Sequence, residues 1–549
     1  MKISRVLVKN FKSFKSERID FRDLMAFIGE NNAGKSNVLK ALDLFFKDTK
    51  KLDEEYFNNS AEHIVIQVWF NNLNDDAKET FKKYLLDDNE TVILRKEYSY
   101  HDEDMTFTGV ILADNLDAKD KKDAVEIADK DDIAPFTSAD KSYYWKSKPF
   151  GWSAIATGYL PDFLYVPAVK DAKDETKVSD TSRFGKIINA MLGSVLQNVD
   201  LVHINEQFTK LLMGENANQD GRIAQLKEFE TMLSEKLSSQ MRGTTIKLDI
   251  TPPTLKDVFQ SGTKILVDDG VSTAVENKGH GLQRSVIFVI FRAYADLLKK
   301  EQGEKAKALI FGIEEPELYL HPQMQRSMFG ILKEISQTDQ VVFTTHSSFF
   351  VDMANYQSIG IVVKKDIETG TKIIQYTEDI FPQSEEKKQF RLLTEFDPER
   401  SELFFGKKVV LVEGDTEKVV LPIIANKINP KYAFYDYGIT VVECGSKEMM
   451  PFFVKVFNAF RIPYIVIYDS DSANNEESKK IEAEVASSGG IGRTEVIEPD
   501  FEKMCAGEGV AIPTGGSKPF KAFKCFKELE AEKIPKRLKE IIEKVFTEV

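Results

Sequence analysis

Cysteine is scarce in this sequence, and the little there is has no arrangement that would give it a structural job. Cys444, Cys505 and Cys525 show no paired metal-ligand spacing. Three thiols in 549 residues make neither a disulfide framework nor a zinc site, and all three are expected to be small buried apolar residues. Long apolar runs are missing as well. Nothing approaches the roughly 20 residues of a membrane span, and the first residues read as a basic, apolar strand and not as a signal peptide. These absences exclude a membrane role and lead us to expect a cytoplasmic protein. Positive charge is also in deficit, with 74 Lys+Arg against 88 Asp+Glu and a net charge of −14. That argues against a general nucleic-acid coat. It leaves room for a local groove, because carboxylates that hold cations face phosphate through those cations. Local basic patches are Lys141/Lys146/Lys148 and the tail with Lys518, Lys521, Lys524 and Lys527, each read first as solvated surface. There is no internal repeat. The 42% apolar and 30% charged fractions are those of a globular chain, long enough for two or three domains.

The stretch Phe27 to Ser36, FIGENNAGKS, organises the first four hundred residues. It fits G-x-x-x-x-G-K-[ST]. Gly29 and Gly34 let the loop, with Asn31 and Asn32, wrap a polyphosphate; Lys35 reaches the terminal phosphates and Ser36 can ligate Mg²⁺. An apolar strand pattern precedes the loop and a helical pattern follows, aiming a helix N-terminus at the phosphates. Two further pieces complete a nucleotide site. Leu309 to Glu317, LIFGIEEPE, is a buried-strand run ending in adjacent acids, with Glu314 as the metal-side acid and Glu315 as the base for an attacking water. Val341 to Ser347 ends a second apolar strand with His346, placed to sense the γ-phosphate.

Strands are expected over Ile64–Phe70, Thr91–Tyr98 and Thr106–Ala113, and a charged surface loop over Asp114–Lys141. From Arg183 to Met241 the spacing turns helical, which marks an inserted arm fit for dimerisation, for bracing substrate, or for packing within the chain. Thr244–Ile250 and Thr263–Val267 read as strands. Lys278 to Arg284, KGHGLQR, puts Gly279 and Gly281 ahead of an apolar helix, a second anion-binding terminus.

In this order the four motifs resemble the ATP-binding-cassette (ABC) ATPases. Gly279 and Gly281 then stand for the signature loop that caps a nucleotide on a second head, and Gln67 is a candidate for the Q-loop glutamine. Glu314 departs from the aspartate usual in that superfamily. With no transmembrane partner, the resemblance leans toward ABC proteins of DNA maintenance.

A new unit begins near Phe404. A short strand, Lys408–Val412, leads to Glu413-Gly414-Asp415-Thr416-Glu417 and a helix. A strand at Ile439–Val442, another helix, and a strand at Tyr464–Tyr468 follow, the last ending in Asp469-Ser470-Asp471. This is a parallel α/β plan with acids gathered at the strands' C-terminal edge. Converging carboxylates repel unless cations neutralise them, so Mg²⁺ or Mn²⁺ is the expected occupant and phosphodiester hydrolysis the expected chemistry.

E-G-x-x-E followed by D-x-D resembles the Toprim domain. The resemblance implies Glu413 as general base or metal ligand, and Glu417, Asp469 and Asp471 as metal ligands. An ABC head followed by Toprim is similar to the OLD (overcoming lysogenization defect) nuclease family, which includes the nuclease subunit of Gabija-type anti-phage systems. That resemblance adds Glu498 as a ligand to the second metal and Lys518 as stabiliser of transition-state charge. It further implies DNA as substrate, a homodimer or higher homo-oligomer, and a helicase or another defence-system subunit as a candidate partner.

The expected layout is an α/β chain: an ABC-type P-loop ATPase head at 1–182 and 243–395, a helical dimerisation arm at 183–242, and a Toprim α/β domain with a parallel sheet at 396–549. The expected activity is ATP-gated, metal-dependent endonucleolytic cutting in anti-phage defence. Three alternatives stay open: a non-nuclease ABC ATPase of DNA maintenance, a nucleotide-switched effector that needs a partner, and Toprim nucleotidyl transfer, for which little chain remains after Asp471.

Overall fold

The protein is described from a computed structural model, covering residues 1–86, 90–101, 105–117, 120–135, 138, 140–147, 158–168, 199–213, 223–239, 241, 243–248, 250, 263–302, 307–394, 398–470, 476–513 and 517–547. It forms two compact units, one of residues 1–168 with 307–549 and one of residues 169–306.

The larger unit holds three sheets. A seven-stranded antiparallel sheet runs in the order 14–20, 2–11, 64–71, 92–98, 105–112, 143–147, 124–126. The last of these, Ala124–Glu126, is a short edge strand inside the segment expected to be loop. It pairs with Tyr144–Lys146. A six-stranded sheet follows in the order 371–374, 359–364, 24–28, 340–344, 309–314, 162–166. Within it, every pair is parallel except the edge hairpin of 359–364 with 371–374. Strands covered on both faces read as unbroken apolar runs, as in Leu24–Ile28 and Leu309–Glu314.

The four-stranded sheet, in the order 439–443, 408–412, 464–469, 492–497, is wholly parallel. It carries the fourth strand, Gly492–Ile497, beyond the three expected. Ile28, the last residue of the strand before the phosphate loop, lies in one continuous apolar core with Leu403, Leu411 and Tyr468. An ion pair of 3.1 Å between Glu30 of the loop and Lys407 spans the same junction at the surface.

In the smaller unit, helices Val199–Met213, Ala224–Ser238 and His280–Gln302 accompany a two-stranded ladder of 266–268 with 272–274. The strand expected at Thr244–Ile250 does not form among its described residues. Its backbone is claimed by helix side chains: Ser234 Oγ accepts from Ile246 N–H and donates to the Ile246 carbonyl, and Glu230 accepts from Leu248 N–H. Side chains that satisfy the backbone locally remove the need for a ladder partner. Among the described residues no helix is long and apolar enough to cross a membrane.

Candidate active sites

The loop between strand Leu24–Ile28 and helix Lys35–Phe46 can close only with glycine at its ends. Gly29 has φ +142°, and a Cβ there would sit 2.2 Å from the Val362 carbonyl oxygen. Gly34 caps the helix at φ +109°, where a Cβ would lie 2.5 Å from Thr371 Oγ1. Thr371 and Ser13, which gave no sequence signal, buttress the turn: Thr371 Oγ1 bonds the Ala33 carbonyl and Ser13 Oγ, and Asn37 donates to Ser13. Asn31 and Asn32 lie exposed on the loop, Asn32 in the left-handed region, and Ser36 is the second residue of the helix. Lys35 is buried and donates to the carbonyls of Gly29 (3.1 Å) and Glu30 (2.8 Å). Burial pulls its ammonium down to about 8, against the pull of Glu315 and Glu317.

Those carboxylates come from the strand edge next door. Glu314 ends strand Leu309–Glu314 buried, its oxygens accepting from Tyr165 OH (2.7 Å) and Ala168 N–H (3.1 Å). Glu315 is held at φ +43°, a backbone strain typical of functional sites, and its carboxylate is 4.0 Å from His346 Nε2. Burial, and then Lys35, hold the His346 imidazole below its ordinary value, with Glu315 opposing. Lys35, Glu315 and His346 are therefore neighbours.

Glu317 belongs with them and was missed. It is 92% buried by its 8% exposure. One oxygen accepts from His346 N–H at 2.6 Å, while Oε2 is buried with no hydrogen-bond partner among the described residues. Burial pushes its carboxyl up, opposed by the His346 N–H and Thr345 hydroxyl bonds. The E-E-P-E run was the available signal.

Gln67, the Q-loop candidate, lies elsewhere. It is fully buried in strand Ile64–Asn71 and donates to the Asp132 carbonyl at 2.7 Å, bracing the antiparallel sheet. Gly279 and Gly281 flank the start of helix His280–Gln302 in the smaller unit, where buried Gln283 ties the carbonyls of Glu276 and Lys278.

The second site lies at the C-terminal edge of the four-stranded sheet. Glu413 directly follows strand Lys408–Val412, Asp469 ends strand Tyr464–Asp469, and Glu498 follows strand Gly492–Ile497. Glu417 sits in the first turn of helix Asp415–Ile428. Asp471 lies outside the described residues. Glu417 is pushed up to about 7, by burial first and then by the charges of Glu413 and Glu502. Glu413 and Glu502 stand near enough to raise Glu417, a penalty that a bound divalent cation would reverse. Among the described residues no three His, Cys, Asp or Glu side chains stand close enough together to hold a metal ion.

Lys518 opens helix Lys518–Glu528, 3.4 Å from Glu502. Buried Lys447, also missed, donates to the Asp469 carbonyl at 2.5 Å and lies 5.0 Å from the centre of the Tyr468 ring. It lies between strand Ile439–Glu443 and helix Met450–Phe460.

Comparison with known proteins decides the family. The AAA ATPase domain model matches residues 1–351, and the overcoming lysogenization defect protein-like TOPRIM domain model matches residues 404–471. The chain belongs to the AAA ATPase family and, by its Toprim domain, to the OLD group. It is 27% identical to the Old nuclease of Escherichia phage P2 over 86% of this chain and 78% of that protein. It is 23% identical to the OLD nuclease of Thermus scotoductus over 99% and 98%. With the endonuclease GajA of Bacillus cereus it shares 22% identity over 87% and 78%. An OLD-type chain of this composition is a hydrolase with an ATPase domain and a Toprim domain, using nucleotide and divalent metal.

Proposed function

We propose that this chain is an ATP-regulated DNA endonuclease of anti-phage defence, in which Mg²⁺ or Mn²⁺ serves phosphodiester hydrolysis at the Toprim edge and the ATPase head gates it. The observation that carries this reading is the placement of Glu413, Glu417, Asp469 and Glu498 along one parallel-sheet edge, in the same compact unit as the phosphate loop. Glu413, Glu417, Asp469, Asp471 and Glu498 would hold the cations. When bound, those cations supply neutralisation of the attacking and leaving oxygens. Glu413 takes a proton from the attacking water when it is not itself a ligand, and Lys518 meets the charge that grows on the phosphate. Lys447 orients Asp469 through its backbone carbonyl.

In the head, Lys35 and Ser36 take the phosphates and their Mg²⁺, with Glu314 as the metal-side acid. Glu315 orients the attacking water, and His346 faces the γ-phosphate. Gly279 and Gly281 would cap a nucleotide on a second head. The continuous core from Ile28 to Leu411, together with the Glu30–Lys407 pair, supports coupling between the two sites. Exposed Ile204, Phe208 and Leu211, spaced to one face of helix Val199–Met213, support homodimerisation through the arm. A cytoplasmic location, with a helicase or other defence subunit as partner, is part of the same reading.

Supercoiled DNA incubated with Mg²⁺ or Mn²⁺, with and without ATP, tests coupling when wild type is compared with Lys35→Ala. Gating predicts that nucleotide changes cutting by wild type alone. Identical cutting and assembly by both proteins at every ATP concentration would end the gating account.

A further inference from the structure

Helix Lys518–Glu528 has two unlike faces. Its inner face buries Ala522 and Phe526, the latter 6.1 Å ring to ring from Phe501, and packs along helix Asp415–Ile428, which carries Glu417. Its outer face carries Phe520, 67% exposed, with Lys524 and Lys527 exposed four and seven residues on. On a helix that spacing is one stripe. Lys527 also stands 5.4 Å from the Phe523 ring centre. The helix is fixed at both ends: Lys518 pairs with Glu502, and Lys427 donates to the carbonyls of Lys527 and Leu529. Four lysines against one glutamate on these eleven residues invert the sign of a chain whose net charge is −14.

We propose that this outer face is the DNA-docking surface of the Toprim lobe, with Phe520 stacking on an unpaired base while Lys524 and Lys527 meet phosphates. The proposal rests on the nuclease reading and deepens it. Charge selects the occupant. A second copy docking through the same patch would oppose lysine to lysine, because a two-fold contact pairs each surface with itself, whereas a phosphate backbone complements Lys524 and Lys527. Position selects it too, since the helix that carries the stripe packs along helix Asp415–Ile428, which holds Glu417. Aromatic stacking tolerates any base and needs one that is out of the duplex, so single-stranded or distorted DNA is the class expected.

The test is fluorescence anisotropy of labelled oligo(dT) with the full-length protein in Ca²⁺. Phe520→Ala should weaken binding about 5- to 100-fold without changing the salt slope, and Phe520→Trp should restore it. Lys524→Ala with Lys527→Ala should flatten the slope of log K against log salt by about 1.4, roughly 0.7 per contact. Wild-type affinity and slope in all these variants would overturn the proposal, as would a wild type that does not bind at any salt. So would a Phe520→Ala protein altered only in sedimenting mass, which would assign the face to a second copy. Cleavage of single-stranded circular DNA in Mg²⁺ or Mn²⁺ separates the two readings: binding that follows the predicted pattern without any cutting refutes the nuclease and leaves the surface standing.

Discussion

Replacing Glu317 should disable ATP turnover while leaving the fold almost as stable as before. The buried carboxylate accepts from His346 N–H at 2.6 Å. A hydrogen bond to a charged group contributes about 1.5–3 kcal/mol, so Glu317→Ala forfeits an anchor of that size for the His346 turn. The same substitution removes a carboxylate whose pKa is raised chiefly by burial, and the relief offsets much of the loss. The two effects oppose each other, so the loss of stability should be smaller than the anchor alone contributes. Catalysis has no such offset, since the freed turn no longer holds His346 beside Glu315 and Lys35. If about 1.4–2.8 kcal/mol of that anchoring is spent on holding the transition state, turnover falls roughly 10- to 100-fold. Phosphate release at saturating MgATP, paired with urea melts, measures both quantities. Wild-type turnover would refute the reasoning. So would a melt lowered in proportion to the lost activity, which would make Glu317 an ordinary core residue.

Other perturbations follow from the same geometry. Gly29→Ala puts a Cβ 2.2 Å from the Val362 carbonyl at φ +142°; strain of about 1–3 kcal/mol plus that clash should lower the melt and abolish titration by a fluorescent ATP analogue, and unchanged binding would contradict the loop conformation. Lys96, fully buried, donates to the Lys47 carbonyl at the end of the phosphate-loop helix, and burial pulls it down to about 7, with Asp48 opposing. Its folded value lies below its unfolded one, so stability should rise as pH climbs from 7 toward 10, by up to about 1.4 kcal/mol per pH unit. Lys96→Met should lose that slope, and parallel stability curves for the two proteins would refute it.

How far the chain could be read in advance varied with the kind of signal. Apolar runs ending in punctuation, such as Leu24–Ile28 before Gly29 or Lys408–Val412 before Glu413, are strands in parallel sheets, because both faces are covered and every position must be apolar. Thr244–Ile250 carries a similar β-rich pattern yet forms no strand among its described residues, since Ser234 and Glu230 take its backbone groups. That outcome depends on a helix ten or more residues away. Gln67 shows the same limit: a glutamine in an apolar strand gives no hint that Asp132 supplies its partner.

At the sites, spacing singled out Lys35, Glu315 and His346, which are neighbours in the fold. It could not show which acid beyond them turns inward. Glu317 follows a proline just past the adjacent acids, where spacing does not say which way a side chain faces, and the fold buries it. Lys447 likewise looks like a surface turn residue until strand Tyr464–Asp469 is beside it.

The central claim is that the Toprim edge cuts DNA with metal. It is tested most directly by incubating supercoiled and linear DNA with wild type, Glu413→Ala and Asp469→Ala in Mg²⁺ or Mn²⁺, and following ATP hydrolysis in the same samples. The account predicts metal-dependent cutting by wild type, at least 100-fold less by either variant as an order of magnitude for a lost metal ligand or base, and ATP turnover retained by all three. Cutting by both variants at the wild-type rate would contradict it.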